Sequence, residues 1–237
     1  MANWITHLRI ADEVLRRLPE LDKRGFCMGS IAPDCNVENE DWTQFTPPRE
    51  ITHWMAGKTK LTADCEGFWN QRILGREFSS NEERSFYLGY YAHLVEDAGF
   101  MQFQRNEQRV RDMWRRIRSV PELAQRTAGL PQTYDAVKTV CNRRERMADI
   151  YALESEYLHS HPDTSYLTVL QHVKQFPDYL DFLPPGAIVR KIGVMGGVPA
   201  KNEKEPQQIF CTRGELDAWV ETISRTLADR LTVFLQR

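Results

Sequence analysis

Six histidines occur in the 237 residues: His7, His53, His93, His159, His161 and His172. His93 stands four residues before Asp97, one helical turn, so an imidazole and a carboxylate leave the same side of a helix and can grip one ion. Phe86, Tyr90, His93 and Asp97 recur at spacings of 4, 3 and 4, which turns the pair toward the core. A carboxylate buried there must be paired or bound to metal, because lone burial costs several kcal/mol. A hydrogen-bonded His–Asp pair meets the same demand without metal, and by itself the spacing favours that plainer arrangement.

Three further segments stand earlier in the chain: Ile5-Thr6-His7, Pro33-Asp34-Cys35 and Thr52-His53-Trp54. Followed by Gly89 through His93 to Asp97, the series His7, Asp34, His53, His93, Asp97 resembles the zinc-dependent phospholipase C superfamily, which also contains single-strand-specific nucleases. The motifs are most similar to those of the N-terminal domain of glycosylphosphatidylinositol-specific phospholipase D, over about residues 1–104. The resemblance implies one zinc on His53, His93 and Asp97, with Asp34 beside or upon it. It implies a second zinc, bridged by Asp97 and completed by His7 with the mature N-terminal amine and carbonyl. A bridged pair clamps phosphate and lowers the pKa of bound water toward about 7, with Asp34 as general base. Ala2 lies five residues before His7, the family spacing, so loss of Met1 would present the Ala2 amine there.

One part of the pattern departs. The family's third zinc site begins with a histidine four to six residues after the aspartate, whereas Met101 and Phe103 stand there. Glu154, Glu156, His159 and His161 offer replacements, Glu156 and His159 at a spacing of three on an expected helix. The run HSHPD reads more simply as a helix end with solvated imidazoles, and His172 as packing or surface. Glu96 points about 100° away from Asp97 around the helix and makes a poor substitute.

The elements that must position these groups are helical. Ile5, Leu8, Ala11, Leu15 and Leu18 make one apolar face over 5–18, closed by Pro19. Residues 25–52 read as loops with one short helical turn, and 60–75 as a helix. Residues 80–104 form the clearest helix, with Ser79 and Glu82 as a capping box, and arginine-rich 105–118 continues it or forms a solvated helix. A long helix is expected over 131–160, and one more helix within 162–180. Residues 182–209 read as an irregular connector with a short strand at 187–194. Thr212 and Glu215 cap a last helix whose face is Leu216, Trp219, Ile223, Leu227 and Leu231. The expectation is an all-α multi-helix bundle with long loops, one domain over 1–237, and the metal site between core helices.

Lys+Arg 31 against Asp+Glu 33 gives −2, so nucleic acid is not indicated as a partner. No apolar run approaches the ~20 residues that span a bilayer. The N-terminus lacks the basic lead and apolar stretch of a signal peptide, and the five scattered cysteines hold no CxxC pair, so a cytoplasmic location is expected. Cys35 reads as structural. Trp4, Trp42, Trp54 and Trp69 either wall a pocket or fill the core. RVRDMWRRIR, 109–118, reads as a solvated face rather than an anion site. Gly193, Gly196 and Gly197 lack the strand–turn–helix setting of a nucleotide loop.

The resulting reading is a hydrolase of a small phosphoester or lipid-headgroup substrate, using one or two Zn²⁺, with iron or manganese as alternative metals. A second reading is a non-catalytic module stabilised by metal, kept open by the missing third site. A third, the HD-type phosphohydrolase, lacks its His-Asp dipeptide here.

Overall fold

The computed structural model describes residues 3–201 and 205–236, and Met1 and Ala2, with the expected Ala2 ligand, lie outside them. Among the described residues the chain is all-α: twelve α-helices and one two-stranded ribbon. Helices α1 (Trp4–Arg17) and α2 (Lys23–Gly29) lead to a 3₁₀ turn at Ala32–Asp34. The antiparallel ribbon β1 (Val37–Glu38) and β2 (Phe45–Thr46) comes next, with Val37 opposite Thr46, and then α3 (Arg49–Thr52). A second 3₁₀ turn, Lys60–Thr62, precedes α4 (Cys65–Arg72) and the long α5 (Asn81–Phe103). The remainder is α6 (Glu107–Arg118), α7 (Pro121–Arg126), α8 (Tyr134–Val140), α9 (Arg143–Ser160), α10 (Ser165–Thr168), α11 (Ala187–Met195) and α12 (Arg213–Leu235).

Helix α2 exceeds the one short turn expected among the loops of 25–52 and begins before that stretch, and its glycines explain the difference. Gly25 and Gly29 read as breakers in sequence, yet they let α2 lie backbone-to-backbone on α5. A Cβ on Gly29 would stand 2.0 Å from the Phe86 carbonyl oxygen, and one on Gly89 of α5 would stand 2.2 Å from that of Phe26. Asp22 caps α2 by accepting from the Gly25 N–H. The pairing fixes Ser30 and the turn carrying Asp34, both directly C-terminal to α2, against the middle of α5.

Other expectations shift. Ser80, not Ser79, caps α5 by accepting from the Glu83 N–H, while Ser79 donates to the Glu83 carboxylate. The expected helix over 60–75 narrows to α4. The one over 131–160 breaks at Cys141, where Asn142 and Glu145 form a capping box that starts α9. Residues 162–180 hold only α10 and a 3₁₀ turn. The expected strand at 187–194 is α11: its branched residues suit a strand, but burying Ala187, Ile188 and Lys191 on one side needs the helical period. Thr212 and Glu215 cap α12, in agreement with the expectation.

The larger apolar core gathers α1, α2, α5 and α12, and a smaller one joins α6 to Tyr134, Val137 and Phe210. Helix α6 therefore packs through Val110, Met113, Trp114 and Ile117, while Arg116 pairs with Glu215 at 2.9 Å. No helix of the described residues is long and apolar enough to cross a membrane.

Candidate metal centre

His7, Asp34, His53, His93 and Asp97 come from four separate elements and meet in one buried cluster. His7 projects from α1, Asp34 from the 3₁₀ turn after α2, His53 from the end of α3, and His93 and Asp97 from α5. All three histidines are buried, as is Asp97, and Asp34 is 8% exposed. The His7 and His93 rings stack with centroids 4.1 Å apart, and His53 lies 5.3 Å from His93.

The orientation of the three rings is the informative feature. His93 Nδ1–H donates to the Ser30 carbonyl oxygen at 2.8 Å. His7 Nδ1 shares a hydrogen bond with Glu96 Oε2 at 2.5 Å. His53 Nδ1 lies 3.3 Å from the Arg49 carbonyl oxygen and 3.0 Å from Thr52 Oγ1. With Nδ1 engaged outward, each Nε2 turns inward. His93 Nε2 stands 3.1 Å and His53 Nε2 3.6 Å from Asp97 Oδ2, and His53 Nε2 stands 3.1 Å from Asp34 Oδ1. His7 Nε2, His93 Nε2 and Asp97 Oδ1 are buried and have no hydrogen-bond partner among the described residues. Buried polar atoms are rarely left so. Two overlapping sets, His7–His93–Asp97 and Asp34–His53–His93, offer ligand atoms within 4.8 Å of one another. Imidazoles held by a bond at the other nitrogen are the usual dress of metal ligands.

The charge states agree with that use. Burial, then the neighbouring His93, pushes His7 well below its ordinary value, and burial with the Lys60 ammonium lowers His53. Both rings are thus neutral at neutral pH, the form that binds metal. Burial alone would raise Asp34 and Asp97, but Lys60 and the facing histidines hold both carboxyls well below the usual range.

Two residues of the cluster escape the sequence reading. Glu96 does point away from Asp97, as helical geometry demands, but α1 crosses on that side and Glu96 orients His7. Burial, with the Asp97 charge behind it, pushes its carboxyl well up. Lys60, from the 3₁₀ turn before α4, drives its ammonium into the centre, donating to Asp97 and lying 3.8 Å from Asp34 Oδ1. Nothing in the spacing of Lys60 marks it out, since it reads as one of several charges on an expected helix.

The suggested replacements for a third site do not join the cluster. Glu154 accepts from Asn3 and Thr6 at the start of α1, and Glu156 pairs with Arg213. His159 and His161 are exposed on the last turn of α9 and just past it. The tryptophans divide. Trp54 and Trp69 pack against the core, Trp4 belongs to it and also borders a cleft of about 140 Å³, and the exposed Trp42, with Phe45, walls that cleft, onto which Asp34 opens. Cys35 is buried with its thiol donating to the Ile31 carbonyl oxygen, and burial pushes it well up, as befits a structural residue.

No curated protein and no solved structure matches the chain, so the narrower likeness to glycosylphosphatidylinositol-specific phospholipase D gains no support. Residues 6–100 match the family model described as zinc dependent phospholipase C, a stretch that includes all five cluster residues. Over that segment, less than half of its length, the chain is similar to the zinc-dependent phospholipase C family.

Proposed function

We propose that this protein hydrolyses a phosphoester, with His7, Asp34, His53, His93 and Asp97 holding one or two zinc ions. The observation that carries the reading is the convergence of three buried imidazoles, each engaged at Nδ1, with two carboxylates inside the segment that matches a zinc-dependent family. Zinc bound there supplies Lewis acidity and a water whose pKa falls toward about 7. The chain's own part is to place and orient. Asp34, the cluster member that opens onto the aromatic cleft, stays ionised at neutral pH and accepts the proton of an attacking water. His93 and Asp97, fixed on one helix face, set the geometry to which the other ligands conform. Ser30 and Glu96 hold the imidazole tautomers.

The test joins metal content to turnover of bis(p-nitrophenyl) phosphate. One or two zinc ions per chain with zinc-dependent hydrolysis is the expected result, lost in His93→Ala. Asp34→Asn separates its roles: retained zinc with a lost rate marks a base, whereas lost zinc marks a ligand. A folded chain that rejects zinc, or binds it without hydrolysis, overturns the proposal.

A second reading, a binding or assembly module, is favoured by Lys60, whose ammonium already neutralises Asp97. Metal content decides between them: saturation of the cluster by zinc requires Lys60 to leave Asp97, and persistence of that ion pair in zinc-treated protein supports the module.

A further inference from the structure

A cleft of about 590 Å³ lies against the metal centre, and its charge is unlike that of the chain as a whole. The chain carries a net −2, yet seven cationic side chains line this cleft against one carboxylate, Asp135. Lys58 and Lys60 form one side, Arg105 comes from the stretch after α5, Lys138 from α8, and Arg143 and Arg146 from α9. Lys60 is the wall shared with the centre, since its ammonium reaches Asp97. The seventh, Arg49, together with Arg143, lines both this cleft and the aromatic one beside Asp34.

Three of the cations are paired, Lys60 with Asp97 and both Arg105 and Lys138 with Asp135, and among the described residues the other four are not. Tyr134 is buried, and its hydroxyl accepts from Arg146 at 2.8 Å while the Arg105 guanidinium lies 5.5 Å from its ring centre. Arg146 also donates to the Cys141 carbonyl oxygen at 3.0 Å. Asp135 is shared by Arg105 at 2.7 Å and Lys138 at 3.1 Å. Arg49, Lys58, Arg143 and Arg146 have no carboxylate partner among the described residues. Guanidinia fixed by their surroundings lose little freedom on meeting an anion and suit the paired oxygens of phosphate.

We propose that this cleft receives a second phosphate of the substrate, so that the ester cleaved at the centre is one arm of a molecule bearing at least two phosphates. The proposal rests on the phosphoesterase reading for the centre and adds the substrate class. A phosphodiester brings one negative charge, which the centre and Lys60 already answer. The remaining cations call for a further anion, and they repel a cationic head group such as choline. Arg105, Lys138, Arg143 and Arg146 lie beyond residue 100, where the family model ends, so the part of the chain outside the family segment selects the substrate.

Calorimetric titration tests the cleft by binding alone. The probes are fructose 1,6-bisphosphate and fructose 6-phosphate, against metal-free and zinc-loaded protein. The bisphosphate is expected to bind about tenfold or more tightly, with a preference that shrinks as salt rises. Lys58→Gln with Arg143→Gln, both exposed and unpaired and so safe for folding, erases the preference. Arg118→Gln with Lys174→Gln, an equal charge change outside the cleft, leaves it. Co-sedimentation with phosphatidylcholine vesicles, with and without a phosphatidylinositol bisphosphate, distinguishes a lipid-borne pair of phosphates from a soluble one. Equal affinity for the two sugars with no added retention on the bisphosphate vesicles overturns the proposal, as does a preference that survives the cleft substitutions. Because the readout is binding, a protein that prefers the bisphosphate but hydrolyses no phosphoester defeats the function of the centre and leaves the cleft standing.

Discussion

Glu96 and Lys60 do opposite things to the centre that α5 carries. Glu96 supports it from outside by fixing the His7 ring. In Glu96→Gln the amide presents a donor or a weaker acceptor to His7 Nδ1, and the tautomer with Nε2 free loses its anchor. Zinc affinity should fall about 10–100-fold with the fold retained, measured by competition with a chelating dye. Lys60 supplies charge from inside. Lys60→Met leaves Asp97 buried without its cation, so the metal-free variant should lose about 3 kcal/mol, and added zinc should raise its melting temperature more than it raises the parent's. An equal zinc response in both proteins contradicts that role. The five candidate ligands were legible because family spacing marks them. Glu96 and Lys60 were not, because each owes its position to a crossing element: α1 over the far side of α5, and a 3₁₀ turn that tucks one lysine inward.

At the scale of elements the site depends on how closely α2 approaches α5. Ser30, which holds His93, and the Asp34 turn both come directly after α2. Gly29→Ala places a methyl group against backbone on the facing helix, so the helices must part. The expected cost is about 2–3 kcal/mol in chemical denaturation, with weaker zinc binding as the Ser30 carbonyl withdraws from His93. Gly75→Ala, whose Cβ meets nothing within 4 Å but whose φ of +71° is strained, serves as a control that lowers stability without touching zinc. Amphipathic faces made α1, α5 and α12 readable. Helix α2 was hidden because glycine means both chain reversal and close approach, and only a partner helix separates the meanings. Likewise a run of branched residues reads as strand until the burial of Ala187, Ile188 and Lys191 imposes the helical period on α11.

Across the whole molecule, the helix that brings His7 is held by residues far beyond the family segment. Arg9 pairs with Asp217 at 2.7 Å and Arg17 with Glu221 at 2.9 Å on α12, and Asp12 accepts from the Ser165 N–H at 2.9 Å. We therefore propose that 1–237 folds as one unit, and a chain cut after residue 104 should show no cooperative unfolding and no tight zinc site by circular dichroism and metal titration. Glu154 ties α9 to the start of α1 and sets a pH dependence. Burial pushes its carboxyl up to about 7, above its unfolded value. The protonated form thus favours the fold: its contribution is whole below the ordinary carboxylate range and is lost as pH rises through about 7. Between pH 5 and pH 8 the parent should lose about 2–3 kcal/mol that Glu154→Gln keeps, read from denaturation midpoints at the two pH values. A variant with the parent's pH profile contradicts this.

The ammonium of Lys60 also bears on when the protein can be built. Two acidic groups packed in an apolar interior would ordinarily make a newly made chain wait for an ion before closing over them. Here the chain carries its own counter-ion, so it can close early and be loaded late. If the cluster takes zinc as proposed, uptake is an exchange of one cation for another inside a finished scaffold, and a lysine must swing aside for it.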